Sequence, residues 1–297
     1  WYNQQNSMIT SPLTGGTTTH VKSIQTKTII ELYKRNSAVE RFFTGLEAID
    51  LYRCNDTGYQ FYVPFTVAGD GPFYEDLSRE RLYYIPWKNE HEVADGYIKP
   101  YDRVLEQGCA TGGFLLEEKK RKQIISFGTE LNDAARTEAE AAGISFTPIA
   151  DADVVCSFQV LEHIADVRSF INEAITATKP GGTIIFAVPN NDTFMKDDPT
   201  GFLNMPPHHM GIWNRAVFEA VPRYFPLDLV AIHTECLQPH LYRYYYQRVF
   251  GDLIRPYGFF GKVVNKILFE SVAKHIIKRK AHAITGHTLI GVFTKRV

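Results

Sequence analysis

This chain of 297 residues is poor in cysteine: Cys54, Cys109, Cys156 and Cys236 lie far apart, with no paired spacing. That argues against a disulfide framework and suits a reducing compartment, so a cytoplasmic location is expected. No apolar run approaches the roughly 20 residues of a membrane span, and no signal-peptide pattern opens the sequence. There is no charge excess either, since 32 Lys and Arg face 33 Asp and Glu. Such a balance gives no reason to expect a nucleic-acid partner. Internal repeats are lacking as well. What is there is apolar sequence, 44% of residues, enough to bury a sizeable core in one large domain or one and a half.

From Tyr101 to about Thr234, strand-like runs alternate with helical ones. DRVLEQ precedes GGFLLEEKKR, IISFGTE precedes NDAARTEAEAA, and ISFTPI follows. DVVCSFQV then precedes VRSFINEAITATK, GTIIFAVPN precedes NRAVFEAV, and LDLVAIHTE closes the series. Alternation of this kind predicts βαβ units and a mainly parallel sheet. The last strand candidate, HTLIGVFTKR, follows a gap of roughly fifty residues, too long for a plain loop, so a helical insertion is expected over 238–285. Before Tyr101 the pattern predicts an amphipathic helix over Val21 to Asn36, a hairpin-like pair (AIDLYRC and YQFYVPF) and more helix after Pro72.

The stretch VLEQGCATGGFL (Val104 to Leu115) places a carboxylate and glycines at one strand-to-helix turn. In a parallel α/β sheet, ligands bind at such carboxyl ends, where glycine lets backbone come close. The spacing E-x-G-x-x-x-G is not the dinucleotide fingerprint, and no Lys-Ser/Thr of a phosphate-binding loop follows. Glu130 ends the next strand about twenty residues on, where a carboxylate accepts hydrogen bonds from ribose hydroxyls; capping of the following helix is the alternative. The segment resembles motif I of the class I S-adenosylmethionine-dependent methyltransferases. FQVLEHIAD (Phe158 to Asp166) is similar to the region after strand four in the branch that includes ubiquinone-biosynthesis O-methyltransferases, and KPGGTIIFAVPN (Lys179 to Asn190) matches the turn into strand five. Ala110 stands at the third position of the family's glycine triplet. The acidic loop after strand three is missing, which leaves Asp151 as the candidate for the adenine.

The resemblance implies a Rossmann-like seven-stranded methyltransferase sheet over 99–297 and a small α+β lid segment over 1–98. It implies S-adenosylmethionine as cofactor, S-adenosylhomocysteine as product, and cofactor contacts from Glu106, Gly108, Cys109, Ala110, Gly112, Glu130, Leu131, Asp151, Phe158 and Gln159. The amino-terminal segment also resembles a zinc knuckle of sugar- and polysaccharide-modifying methyltransferases. SPLTGG (Ser11 to Gly16) and LYRCNDTGYQF (Leu51 to Phe61) put Ser11, Thr14 and Thr57 at three of four thiolate positions, with only Cys54 retained. Hydroxyls do not replace thiolates in a tetrahedral zinc site, so no zinc is expected there.

Methyl transfer to a hydroxyl benefits from a base, and histidine is the usual one near neutral pH. NMPPHHMGIWN (Asn204 to Asn214) supplies His208 and His209, and the LEH turn supplies His163. A purely structural role is the alternative for each. A metal-dependent mechanism using the adjacent histidines with Asp192, Asp197 or Asp198 has no trusted ligand spacing, and no metal ligand is assigned. The expected activity is O-methylation of a sugar or glycan precursor. A fold that binds without turnover, and N- or C-methylation of another metabolite, are the alternatives. The basic, aromatic stretch 241–280, with nine Lys or Arg (Arg243, Arg248, Arg255, Lys262, Lys266, Lys274, Lys278, Arg279 and Lys280), reads either as a solvated helix packed on the domain or as a patch for an anionic acceptor, a membrane surface or a partner. For the acceptor, a nucleotide sugar or lipid-linked glycan is favoured. Oligomeric state is left open.

Overall fold

The computed structural model describes residues 9–33, 39–78, 87–196, 204–254 and 272–297. The amino-terminal part contains β1 (Thr18–Gln25), α1 (Thr26–Leu32), β2 (Ala48–Cys54), β3 (Gln60–Val63), α2 (Gly71–Ser78) and α3 (Asn89–Asp95). Here the helix expected from Val21 is corrected. Residues 18–25 pair antiparallel along β2, and helix begins only at Thr26. The free edge of β2 outweighs the local periodicity, a tertiary contact that no helical pattern announces.

The alternating half supplies β4 (Arg103–Gln107), α4 (Gly113–Lys122), β5 (Ile125–Thr129), α5 (Asp133–Ala141), β6 (Ala152–Phe158), α6 (Val167–Ala177) and β7 (Thr178–Pro189). Each helix has a local reason to start where it does. Asn132 Oδ1 accepts the Ala134 and Ala135 amides at the head of α5, and Asp166 caps α6 through the Ser169 amide. Val167, Ile171, Ala174 and Ile175 then form the buried stripe of α6. After β8 (Gly211–Ile212) come α7 (Arg215–Ala220), β9 (Leu227–Cys236), α8 (Tyr242–Ile254), α9 (Lys274–Lys280) and β10 (Thr285–Lys295).

The large sheet runs β5-β4-β6-β7-β10-β9, parallel up to β7 and antiparallel from β7 through β10 to β9. It has six strands among the described residues, not the seven expected. ISFTPI contributes a single parallel bridge, Ser145 to Phe127. Its Ser145 Oγ accepts the Thr147 amide, and Pro148 has no amide to give, so the segment bonds to itself and leaves the ladder.

β8 does not join this sheet. It pairs with β3, which completes a four-stranded sheet β1-β2-β3-β8 from residues 150 positions apart in the chain. The two sheets share one hydrophobic cluster, in which Leu13, Tyr59 and Phe61 meet Phe186, Trp213 and Phe218. Ser11, Thr14, Cys54 and Thr57 gather at the hairpin, with Thr14 Oγ1 3.4 Å from Cys54 Sγ. Burial would push the Cys54 thiol up, but hydrogen bonds from Ser11, Thr14 and Thr57 outweigh it and hold the thiol below its ordinary range.

No helix among the described residues is long and apolar enough to cross a membrane. Within 238–285, the described residues include the helices α8 and α9. Arg255, Lys262 and Lys266 of its basic set, like Asp197 and Asp198, lie outside the described residues. Arg248 donates to the Phe194 and Lys196 carbonyls, which makes it a strut and removes it from the candidate patch.

Trp213 is fully buried, with its ring centroid 4.8 Å from that of Tyr59 and 5.5 Å from that of Phe218. Trp213→Ala should therefore destabilise the whole chain by about 3–5 kcal/mol in denaturant titration, with a single transition for both sheets.

Candidate active site

The carboxyl ends of β4, β5, β6 and β7 open onto a cavity of about 860 Å³. Its first wall is the turn after β4. Gly108 has φ +76 and Gly112 φ +80, so both need a glycine; a Cβ on Gly108 would also lie 2.5 Å from Val160. These glycines thus serve the path of the loop and its packing on protein, where the sequence had suggested room for a ligand. Gly112 itself is the residue before α4 and does not line the cavity, whereas Gly108, Cys109, Ala110 and Thr111 do. Ala110 takes the left-handed conformation, φ +49, that a glycine would take at no cost.

Glu130 ties this turn to the next. Its Oε2 accepts the Ala110 amide at 2.9 Å and its Oε1 accepts the Asn132 amide at 2.7 Å. The helix-capping alternative falls to Asn132, which caps α5 itself. A carboxylate has about four lone-pair sites, so Glu130 retains acceptor capacity toward the cavity it lines. Leu131, 81% exposed, offers an apolar surface at the rim, and Phe158 and Gln159 line the floor. Asp151 is a correction. It lies at the amino-terminal end of β6, paired with Arg103 at 2.9 Å, away from the cavity. Counting positions along a shortened loop put it at the wrong end of the strand.

Glu106 is a buried acid of the site on the side of this turn. Desolvation, together with nearby Glu130 and against the pull of Lys88, raises its carboxyl to about 8. Its Oε2 has no hydrogen-bond partner. A buried acceptor in this state calls for a cationic or donor group on a ligand. The ammonium of an S-adenosylmethionine molecule meets that need, and Glu130 with its spare lone pairs suits ribose hydroxyls. The residues present fit the cofactor that the resemblance implies.

The opposite wall holds His163, His208 and His209. His208 and His209 stack with centroids 4.6 Å apart, and His163 lies 4.5 Å and 4.8 Å from them. All three are expected to be neutral near pH 7, because burial pushes each imidazole down, His163 to about 4 and the others well below their ordinary value. His163 Nδ1 donates to the His208 carbonyl at 2.6 Å. The amino-terminal segment holds this turn in place: Tyr33 and Tyr74 hydroxyls donate to the Met205 and His208 carbonyls, and the Gly69 amide donates to that of Pro207.

Among the lining residues that the sequence reading did not name as site residues, three carry polar groups toward the two walls. Glu162 sits between the histidines, 3.7 Å from His163 and 3.9 Å from His209, with its carboxyl raised by burial to about 8. Its position beside His163 in LEH was the available signal. Lys88 is the cavity's partly buried cation, 3.9 Å from Glu90. Asn204 receives the His209 Nδ1 at 3.1 Å. Nothing local marks either of the last two.

A family model described as a methyltransferase domain matches residues 74–249. A Mycolicibacterium smegmatis protein named "Probable S-adenosylmethionine-dependent methyltransferase" is 31% identical over 126 residues, 36% of this chain and 47% of the relative. A Rhizobium leguminosarum ubiquinone biosynthesis O-methyltransferase is 34% identical over 103 residues, 30% of this chain and 40% of the relative. The chain thus spans less than half the length of these curated relatives. A solved S-adenosylmethionine-dependent methyltransferase from Archaeoglobus fulgidus is 18% identical, covering 75% of this chain and 100% of its own, at TM-score 0.45. With the family match extending over more than half of its 297 residues, from the turn of α2 into α8, the chain belongs to the S-adenosylmethionine-dependent methyltransferase domain family.

Proposed function

We propose that this protein transfers a methyl group from S-adenosylmethionine to a hydroxyl of a small polar acceptor, a sugar or glycan precursor being the favoured class. The carrying observation is that one cavity is lined on one side by the Glu106–Gly113 turn with Glu130 and on the other by the histidine wall. O-methylation is the choice supported by the relatives named as ubiquinone biosynthesis O-methyltransferases. The sugar class rests on the resemblance of the Ser11–Gly16 and Leu51–Phe61 segments to the degenerate knuckle of that subgroup. An anionic acceptor, such as a nucleotide sugar, is supported by α8, which reaches the cavity through Tyr244 beside Arg243.

The cofactor, when bound, supplies an electrophilic methyl on a sulfonium. What the chain supplies is alignment and exclusion of water. Glu130 and the backbone of 108–111 hold the nucleoside side, Glu106 receives the ammonium, and Phe158 and Phe114 close the floor. The acceptor hydroxyl then faces His163, His208 and His209, and its proton leaves on that side. His208 or His209 as the base keeps the role expected from the sequence.

Three expectations follow from this arrangement. Glu130→Ala should weaken cofactor binding by about 1.5–3 kcal/mol in calorimetric titration, the range for hydrogen bonds to a charged group; unchanged affinity would remove Glu130 from the site. Glu106 releases its proton when the ammonium arrives, so affinity for S-adenosylhomocysteine should rise with pH between about pH 6 and pH 7.5, by up to about tenfold per unit. The sign follows from the raised carboxyl: low pH favours the protonated free protein, and Glu106→Gln should flatten the slope. Incubation with radiolabelled S-adenosylmethionine and a panel of sugar and glycan precursors tests turnover. Label in the acceptor, lost by about 100- to 10,000-fold in His208→Gln or His209→Gln with cofactor affinity retained, is the expected result. Cofactor binding with no transfer to any acceptor would favour a binding module.

A further inference from the structure

The histidine wall contains buried polar atoms without hydrogen-bond partners. Asn191 Nδ2 donates to the carbonyls of Pro189 and Trp213, which fixes the orientation of its amide. Its Oδ1 therefore accepts from Asn204 Nδ2 at 2.9 Å, and Asn204 Oδ1 is left to receive the proton of His209 Nδ1. The tautomer of His209 is set by this relay, with the lone pair on Nε2. His163 reaches the same state through its Nδ1 bond to the His208 carbonyl, which only a ring N–H can make. Both Nε2 lone pairs face Glu162 Oε1, at 3.7 Å and 3.9 Å, too long for any shared proton. Glu162 Oε2 and His208 Nδ1, on side chains 2% and 7% exposed, have no partner at all.

We propose that His163, His208 and His209, with Glu162 beside them, form a binding site for a divalent first-row transition cation. One donor atom from each histidine lies within 4.8 Å of the others. Adjacent ligands of a tetrahedral zinc-type centre with bonds of about 2.0–2.1 Å stand about 3.4 Å apart, a contraction within reach of side-chain torsions. Imidazole nitrogens with one carboxylate suit zinc, cobalt, nickel or iron over magnesium or calcium. The bonds from Nδ1 to a backbone carbonyl and to an amide oxygen are the outer contacts that metal-bound histidines make, and they orient the rings before the ion arrives. Asp192 does not enter the cluster, and Asp197 and Asp198 lie outside the described residues, so the histidine set stands without the acids the sequence suggested. With the cation bound the histidines are ligands and not bases, and the cation would hold the acceptor oxygen and ease loss of its proton, a role that rests on the methyl-transfer reading; the binding site itself does not.

The test is titration of the metal-free full chain with Co2+, followed by visible absorption and calorimetry. One equivalent per chain should bind. His163→Ala and His209→Ala should each abolish the absorption, and Asn204→Ala, which removes the partner of His209 Nδ1 together with the donor to Asn191 Oδ1 but no ligand, should weaken binding by about 10- to 100-fold. Thermal melting and S-adenosylhomocysteine titration of each variant show that it is folded. Absence of Co2+ binding by a wild-type chain that binds S-adenosylhomocysteine overturns the cation site while leaving the methyltransferase reading intact, with the histidines as free bases. Binding unchanged in folded His163→Ala and His209→Ala overturns it equally.

Discussion

The site depends on two residue pairs of backbone, Gln60 with Ile212 and Phe61 with Gly211. This short pairing draws the chain after β7 out of the large sheet and onto the amino-terminal one. The 205–210 turn is thereby suspended between the two, with Met210 bridging: its amide donates to the Glu162 carbonyl and its carbonyl accepts from the Tyr62 amide. The contact is close, since a Cβ on Gly211 would stand 2.2 Å from the Tyr59 hydroxyl. His208 and His209 therefore face His163 only because segments more than a hundred residues apart meet. The wall of the cavity belongs to neither half of the chain alone.

Electrostatically, the cavity lining is a set of buried acids and imidazoles kept neutral by protonation or by low basicity. Glu106 and Glu162 are both raised to about 8, and the histidines are pushed down. Full ionisation of the two carboxylates would cost several kcal/mol without a counter-charge. Lys88 pulls on both but does not complete either. In the proposed readings positive guests would supply the missing charge, an ammonium on the Glu106 side and a cation on the Glu162 side. Binding and ionisation would then be coupled on both walls, and occupancy by one guest would bear electrostatically on the other.

Legibility in the sequence follows the range of the interactions. The alternation from Tyr101 to Thr234 was readable because it is a local periodicity, and the 106–112 turn and Glu130 could be named as candidates because each closes a strand in that alternation. β1 was misread because its stabilising partner, β2, lies more than twenty residues away. ISFTPI was misread because alternation alone does not reveal a Pro and a Ser that satisfy the backbone internally. The histidines were readable as types but not as a cluster. The Asn191–Asn204–His209 relay depends on rotamers and on the carbonyl of Trp213, none of which has a pattern in the chain.

The hairpin around Cys54 is held by few polar contacts. Hydrogen bonds from Ser11, Thr14 and Thr57 contribute about 1 kcal/mol each. Packing contributes more. Leu13, Tyr59 and Phe61 are buried against Trp213 and the large sheet, and each aromatic covers about 150–250 Å², an upper-bound contribution of about 4–6 kcal/mol at about 25 cal/mol per Å². The hairpin thus takes its stability from the face on which it docks, and its docking is what carries β3 to β8. Stability of the small sheet and placement of the histidine wall are consequences of the same apolar contact.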